Sequence, residues 1–259
     1  MIGENVLEGK PFEGEFIFDI HAHLHDTSDF QMRHTSPEEV ASTLEKTGIA
    51  GACVSSILSI NGDCRLGNEM VRDAVRRFPG RIYGYLAVSP HYEDDPSLFF
   101  EEPGFLGLKV HAAFHRSSID DPLYDPYLTF ANERELPVLF HTWEVADILH
   151  VAGLAKRFPR ARMIIGHGAM RTWEVKREVI DAVRKYDNIF ADTTVSVAHV
   201  GAVEYAADTL GTDRQCDGSA IPFYDCRHVV GKVATSKLSD ADKRKILGEN
   251  ARRILGLPN

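Results

Sequence analysis

The 259-residue sequence predicts one α/β domain over residues 1–259, a TIM (β/α)8 barrel. Eight short apolar or β-branched runs follow one another, each succeeded by residues with helical periodicity. They recur at intervals of roughly thirty residues, the length of a strand, a three-turn helix and two loops. Several runs end in histidine, at the barrel end where loops gather and chemistry is placed.

The strands centre near Phe18, Ala52, Tyr85, Leu108, Leu139, Ile164, Phe190 and Asp217. Between the first two, Ser36-Pro37-Glu38-Glu39 reads as an N-cap, a first-turn proline and a capping-box glutamate. In the next helix Met70, Val71, Ala74, Val75 and Phe78 share one face, and Pro79-Gly80 ends it. Arg77-Phe78-Pro79 and Arg157-Phe158-Pro159 each precede a strand, and Lys185-Tyr186-Asp187 is a degenerate third copy; these are turns at the bottom of the barrel. Residues 89–103 form a loop-rich insertion. Ser239 to Leu255, with Ile246, Leu247, Ile254 and Leu255 at helical spacing, reads as a closing helix. No Pro/Gly/Ser-rich linker divides the chain.

Hydrophobic residues at 44% and charged residues at 26% are ordinary for a folded domain. A net charge of -9, with no basic run, argues against nucleic acid or anionic membranes as partners. The first ten residues lack a basic, apolar leader, and no apolar run approaches the roughly 18 residues of a membrane span, so a cytoplasmic protein is expected. Cys53, Cys64, Cys216 and Cys226 form no C-x-x-C pair, which points away from a cysteine zinc site and toward reduced thiols. A small-molecule substrate is the expected partner, and a homodimer is the usual form should the chain assemble.

The first strand ends in His21-Ala22-His23, the fourth in His111, the fifth in His141 and the sixth in His167. Residues two apart on a strand face the same side, so His21 and His23 can address one ion. A catalytic zinc takes three protein ligands and a water, and His141 is the natural third. A lone strand-end histidine is more often a satisfied polar residue, which is the reading for His111 taken alone. His25, His34, His91, His115, His150, His199 and His228 are read as non-ligating, with His25 and His115 close enough to the mouth to touch substrate.

Four motifs in barrel order, Phe18-Asp19-Ile20-His21-Ala22-His23, Gly107-Leu108-Lys109-Val110-His111, Leu136-Pro137-Val138-Leu139-Phe140-His141 and Ile165-Gly166-His167-Gly168, resemble the amidohydrolase superfamily, and within it the amidohydrolase-2 (amidohydrolase-related) family. The tail Ile246 to Leu255 is similar to that family's ending. The resemblance implies a divalent metal, usually zinc, on His21, His23 and His141, with His167 assisting catalysis. Related binuclear barrels carboxylate a fourth-strand lysine, which directs attention to Lys109. One position departs from the pattern. Where the family has Gly-Ser-Asp-x-Pro-Phe after the eighth strand, this chain has Gly218-Ser219-Ala220-Ile221-Pro222-Phe223. Asp217 lies three residues back, an odd offset that turns it to the opposite face of a regular strand.

The expected function is therefore metal-dependent hydrolysis of an amide, ester or lactone carbonyl, with water activated by the ion, His167 orienting or protonating, and Lys109 and His111 gripping a substrate carboxylate. The alternatives are non-oxidative decarboxylation of a small aromatic acid, which the resemblance also implies, and a non-catalytic ligand binder, which Ala220 suggests.

Overall fold

The structure is a computed structural model that describes residues 2–12, 14–27, 32–167, 181, 183–194 and 200–258. Gly168 and His199, both named from the sequence, lie outside the described residues. Eight parallel strands run in chain order: β1 (Phe18–Leu24), β2 (Gly51–Ser56), β3 (Ile82–Val88), β4 (Phe105–Val110), β5 (Pro137–His141), β6 (Arg162–Gly166), β7 (Ile189–Asp192) and β8 (Gln215–Cys216). Seven predicted centres fall inside their strands. The eighth, Asp217, lies just past β8, which is only two residues long. Closure comes from backbone bonds: Ile20 N donates to Asp217 O at 2.9 Å and Ala220 N to His21 O at 2.6 Å.

The core has two layers. Inside the barrel, Phe18, Ile20, Cys53, Tyr85, Leu139, Ile164, Phe190 and Cys216 pack together, and Ala251, Ile254, Leu255 and Leu257 of the C-terminal segment plug the bottom. Outside it, helices press Val40, Leu44, Val71 and Ala74 against the strands. Lys109 of β4 pairs in register with Leu139 of β5, and the ladder continues through Ile164 to Phe190. A lysine thus occupies a place in an otherwise apolar inner row.

The helix Pro37–Thr47 carries the full capping box, Ser36 with Glu39, and stops at Gly48 in the left-handed region. The helix Cys64–Arg77 buries Val71, Ala74 and Val75 as its periodicity requires. The closing helix is continuous from Asp240 to Leu255 but passes through a π turn at Lys245–Glu249. A side chain at Gly248 in that turn would meet the Phe16 carbonyl oxygen at 2.0 Å, so glycine lets the plug lie against the entry to β1. A short N-terminal helix, Ile2–Leu7, was not foreseen. Among the described residues no helix is long and apolar enough to cross a membrane.

Candidate active site

The strand ends open on a cavity of about 380 Å³. Its floor carries His23, His111, His141 and His167, and its walls include Phe114, Trp143, Phe223 and Tyr224. Topology explains the gathering: all strands are parallel, so every residue just before a βα loop arrives at the same end.

His21 is not on that surface. It is fully buried beneath the floor, and both ring nitrogens are engaged. Nδ1 lies 2.6 Å from Asp192 Oδ2, and Nε2 lies 2.9 Å from Lys109 Nζ. A carboxylate only accepts, so Nδ1 carries the hydrogen and Nε2 presents a lone pair, which the lysine N–H occupies. His21 and His23 face the same side, with His21 two residues lower on β1, just past a register shift between Asp19 and Ala22. Their rings meet edge-on at 5.2 Å. On its other side His23 Nδ1 reaches Ser55 Oγ at 3.2 Å.

Asp192 also braces His167. Its Oδ1 accepts from the backbone N–H of His167 at 2.8 Å and of Thr194 at 3.0 Å. That grip holds His167 at φ 64, a left-handed conformation costing a non-glycine residue about 1–2 kcal/mol. His167 Nδ1 faces the Thr194 carbonyl at 3.1 Å and must carry the hydrogen, so its Nε2 accepts from His141 Nδ1 at 3.1 Å. In neutral His141 the remaining lone pair is on Nε2. The His141 ring stacks between His111, at 3.8 Å and 18°, and Trp143, at 5.3 Å and 24°.

Burial sets the charge states. It drives the imidazoles of His21, His23, His111 and His141 below their ordinary value, and the neighbouring cation or rings push the same way, so all four are neutral near pH 7. Burial also brings Lys109 down to about 7, with Asp192 opposing. Asp192 and Asp217 are raised by burial. Asp19 is pushed up to about 7 by burial, although it accepts from the backbone N–H groups of His21 and Ser219 and from the Ser219 hydroxyl.

Several expectations need correction. Lys109 does not line the cavity; it is fully buried under the floor, whereas His111, two residues further along and just beyond β4, lines it. His25 and His115 do not line the cavity, and His115 instead meets the Tyr124 hydroxyl at 2.8 Å. Asp217, in keeping with its offset, is buried, bonded to Thr193 Oγ1, and absent from the cavity wall, where Ala220 stands at φ 56. Asp192 and Ser55 were overlooked. Asp192 had the same signal as the histidines, a polar residue ending an apolar strand.

The expected divalent ion is tested by the donors present. Among the described residues no three of His, Cys, Asp or Glu are arranged to hold a metal ion. Lys109 takes the His21 lone pair, and position 220 offers no carboxylate. As arranged, the residues do not fit the ion.

Over residues 18–257 the chain matches the model of the amidohydrolase family, and it belongs to that family. Its fold is similar to 5-carboxyvanillate decarboxylase from Sphingomonas paucimobilis, at 15% identity and TM-score 0.73 over 94% of this chain and 99% of that one. It is similar to a dihydroxybenzoic acid decarboxylase from Polaromonas with bound manganese and 2-nitroresorcinol, at 15% identity and TM-score 0.70 over 94% and 97%. A third similar structure is 4-oxalomesaconate hydratase from Rhodopseudomonas palustris, at 19% identity and TM-score 0.65 over 93% and 96%. None of the curated proteins compared matches the chain.

Proposed function

We propose that this chain is an enzyme that removes the carboxyl group of a small aromatic acid as carbon dioxide. The observation that carries the reading is an aromatic-walled cavity over an imidazole floor, with alanine where an acid would activate water. Phe114, Trp143, Phe223 and Tyr224 suit a planar ring, and a cavity of about 380 Å³ matches a single substituted ring. Hydrolysis needs a positioned base for water, an effect worth about 10² to 10⁴ in rate, and residue 220 supplies none. Decarboxylation needs no water. Its ring carbon gains a proton, the bond to the carboxyl carbon breaks with its electron pair returning to the ring, and carbon dioxide leaves.

In this reading His141 is the catalytic residue. Its Nε2 lone pair receives the ring-hydroxyl proton of a hydroxybenzoate and delivers it to the ring carbon as the carboxylate leaves as carbon dioxide, so the product is the phenolate and the charge is conserved. His167 fixes the tautomer of His141, and His111 and Trp143 hold that ring between two planes. His111 and His23 give the polar end of the substrate its hydrogen-bonding partners. The activities of two similar structures, both decarboxylases of aromatic acids, support the choice of substrate class.

The second reading is metal-dependent hydrolysis of an amide, ester or lactone carbonyl, with a divalent ion, zinc or manganese, on His21, His23 and His141. One observation favours it: the Asp192 carboxylate on His21 Nδ1 is the outer partner that metal-bound imidazoles usually carry. It requires Lys109 to leave Nε2. Incubating the enzyme with hydroxybenzoic acids, and separately with aryl esters and lactones, decides between the two. Saturable carbon dioxide release supports decarboxylation, ester or lactone cleavage alone supports hydrolysis, and tight binding without turnover identifies a non-catalytic binder.

A further inference from the structure

We infer that the Lys109 side chain takes the place of a divalent ion at this centre, and that the chain works without bound metal. The inference concerns the site proposed above, but it stands on the geometry of the floor, and its test reads metal rather than turnover.

The first ground is saturation of His21. An imidazole has two ring nitrogens, and here one donates to Asp192 and the other accepts from Lys109. An ion needs the same lone pair that the lysine holds, so lysine and metal compete for a single atom. Lys109 has little room to yield. Its side chain is fully buried, and its backbone lies in a ladder between Ala87 and Leu139.

The second ground is the shortage of other ligands. A zinc centre takes at least three protein donors. His167 turns Nε2 toward His141, and His111 lies flat against His141 at 3.8 Å, so the lone pairs of stacked rings run side by side rather than converging. Among the described residues that leaves His23, the outer nitrogen of His141 and the unpartnered Nδ1 of His111, and the last two belong to rings that lie parallel rather than aimed at one point.

The third ground is charge. Without an acid at position 220, the ionisable groups bonded to the His21 ring are one lysine and one aspartate, and they balance. Adding a dication to that pair would leave two uncompensated charges in a buried setting, where unpaired charge is expensive. Loss of the acid and retention of the lysine compensate each other. Lys109 is thus a positioning residue that holds His21 as the underside of the floor, against the rings of His23 at 5.2 Å and His167 at 5.1 Å.

Protein purified without chelator is assayed for bound metals, then wild type and Lys109→Met are each titrated calorimetrically with Mn²⁺ and Zn²⁺. Expected is less than about a tenth of an equivalent in wild type, and at least about a tenfold gain in affinity for Lys109→Met, whose His21 lone pair is free. A merely structural lysine would not produce that gain. Wild type holding about one equivalent, or Lys109→Met binding no more tightly than wild type, overturns the inference. Should Lys109→Met not fold, the wild-type titration decides alone. Carbon dioxide release only from metal-loaded protein would overturn the inference and leave the decarboxylase reading standing; turnover of other substrates by metal-free protein, with no carbon dioxide from hydroxybenzoic acids, would do the reverse.

Discussion

Asp192 holds His21 with one carboxylate oxygen, at 2.6 Å from Nδ1, and the backbone of His167 with the other, at 2.8 Å. One side chain at the end of β7 therefore sets both the ring beneath the floor and the strained residue upon it. Burial raises its pKa, and the hydrogen bonds from Thr194 and His167 oppose that shift.

Replacing this residue should disturb both at once. Asp192→Ala leaves three donors without an acceptor in a buried place, so a loss of about 2–4 kcal/mol in stability is expected, together with about a 10- to 100-fold fall in turnover. Denaturant midpoints and initial rates measure the two. Unchanged stability would show that the three contacts carry little.

Much of this was legible from residue order alone. The eight runs and the histidines at their ends locate the barrel and its working face, because a parallel sheet delivers every strand end to one side. Depth was not legible. The register shift in β1 and the bonds of His21 and His23 to Ala220 and Ile221, which close the barrel beside the cavity floor, are long-range features with no local signal. The depth of Lys109, expected to grip a substrate carboxylate, was equally hidden: it is buried beneath the cavity that His111, two residues further on, lines. Asp192 was visible as a polar strand end but sat among no histidines in sequence.

The aromatic walls should govern affinity more than rate. Trp143→Ala and Phe223→Ala are each expected to raise KM by about 10-fold, with a smaller change in kcat, as for loss of roughly 1–2 kcal/mol of ring contact. Trp143→Ala should reduce kcat further than Phe223→Ala, because Trp143 also stacks on His141 and Phe223 touches His23. Steady-state kinetics on one aromatic acid compares them. Equal effects would remove the special part given to Trp143.

At position 220 the backbone is left-handed, which aspartate tolerates better than alanine, so Ala220→Asp is expected to fold. The added carboxylate faces the cavity and repels a substrate anion, raising KM by about 10-fold or more. The same change should strengthen Mn²⁺ binding. A fall in KM would mean that the substrate is not an anion.

Asp19 gives a pH test of the fold. Its pKa rises from 3.8 to about 7 in the folded state, so that state binds more protons than the unfolded chain across that window. Stability from this group is fully present below 3.8 and is lost as pH rises through about 7, with an upper bound of about 4 kcal/mol. Asp19→Asn keeps the shape without the titration. Melting curves should show wild type losing stability relative to Asp19→Asn between pH 4 and pH 7; parallel curves would contradict the assignment.

Running the reaction in D₂O with a carboxyl-labelled hydroxybenzoic acid tests the proposed chemistry most directly. Expected is labelled carbon dioxide and a product with deuterium at the ring carbon that bore the carboxyl group, both abolished by His141→Ala. Retention of the label in the aromatic product, with cleavage confined to ester or lactone substrates, would contradict it.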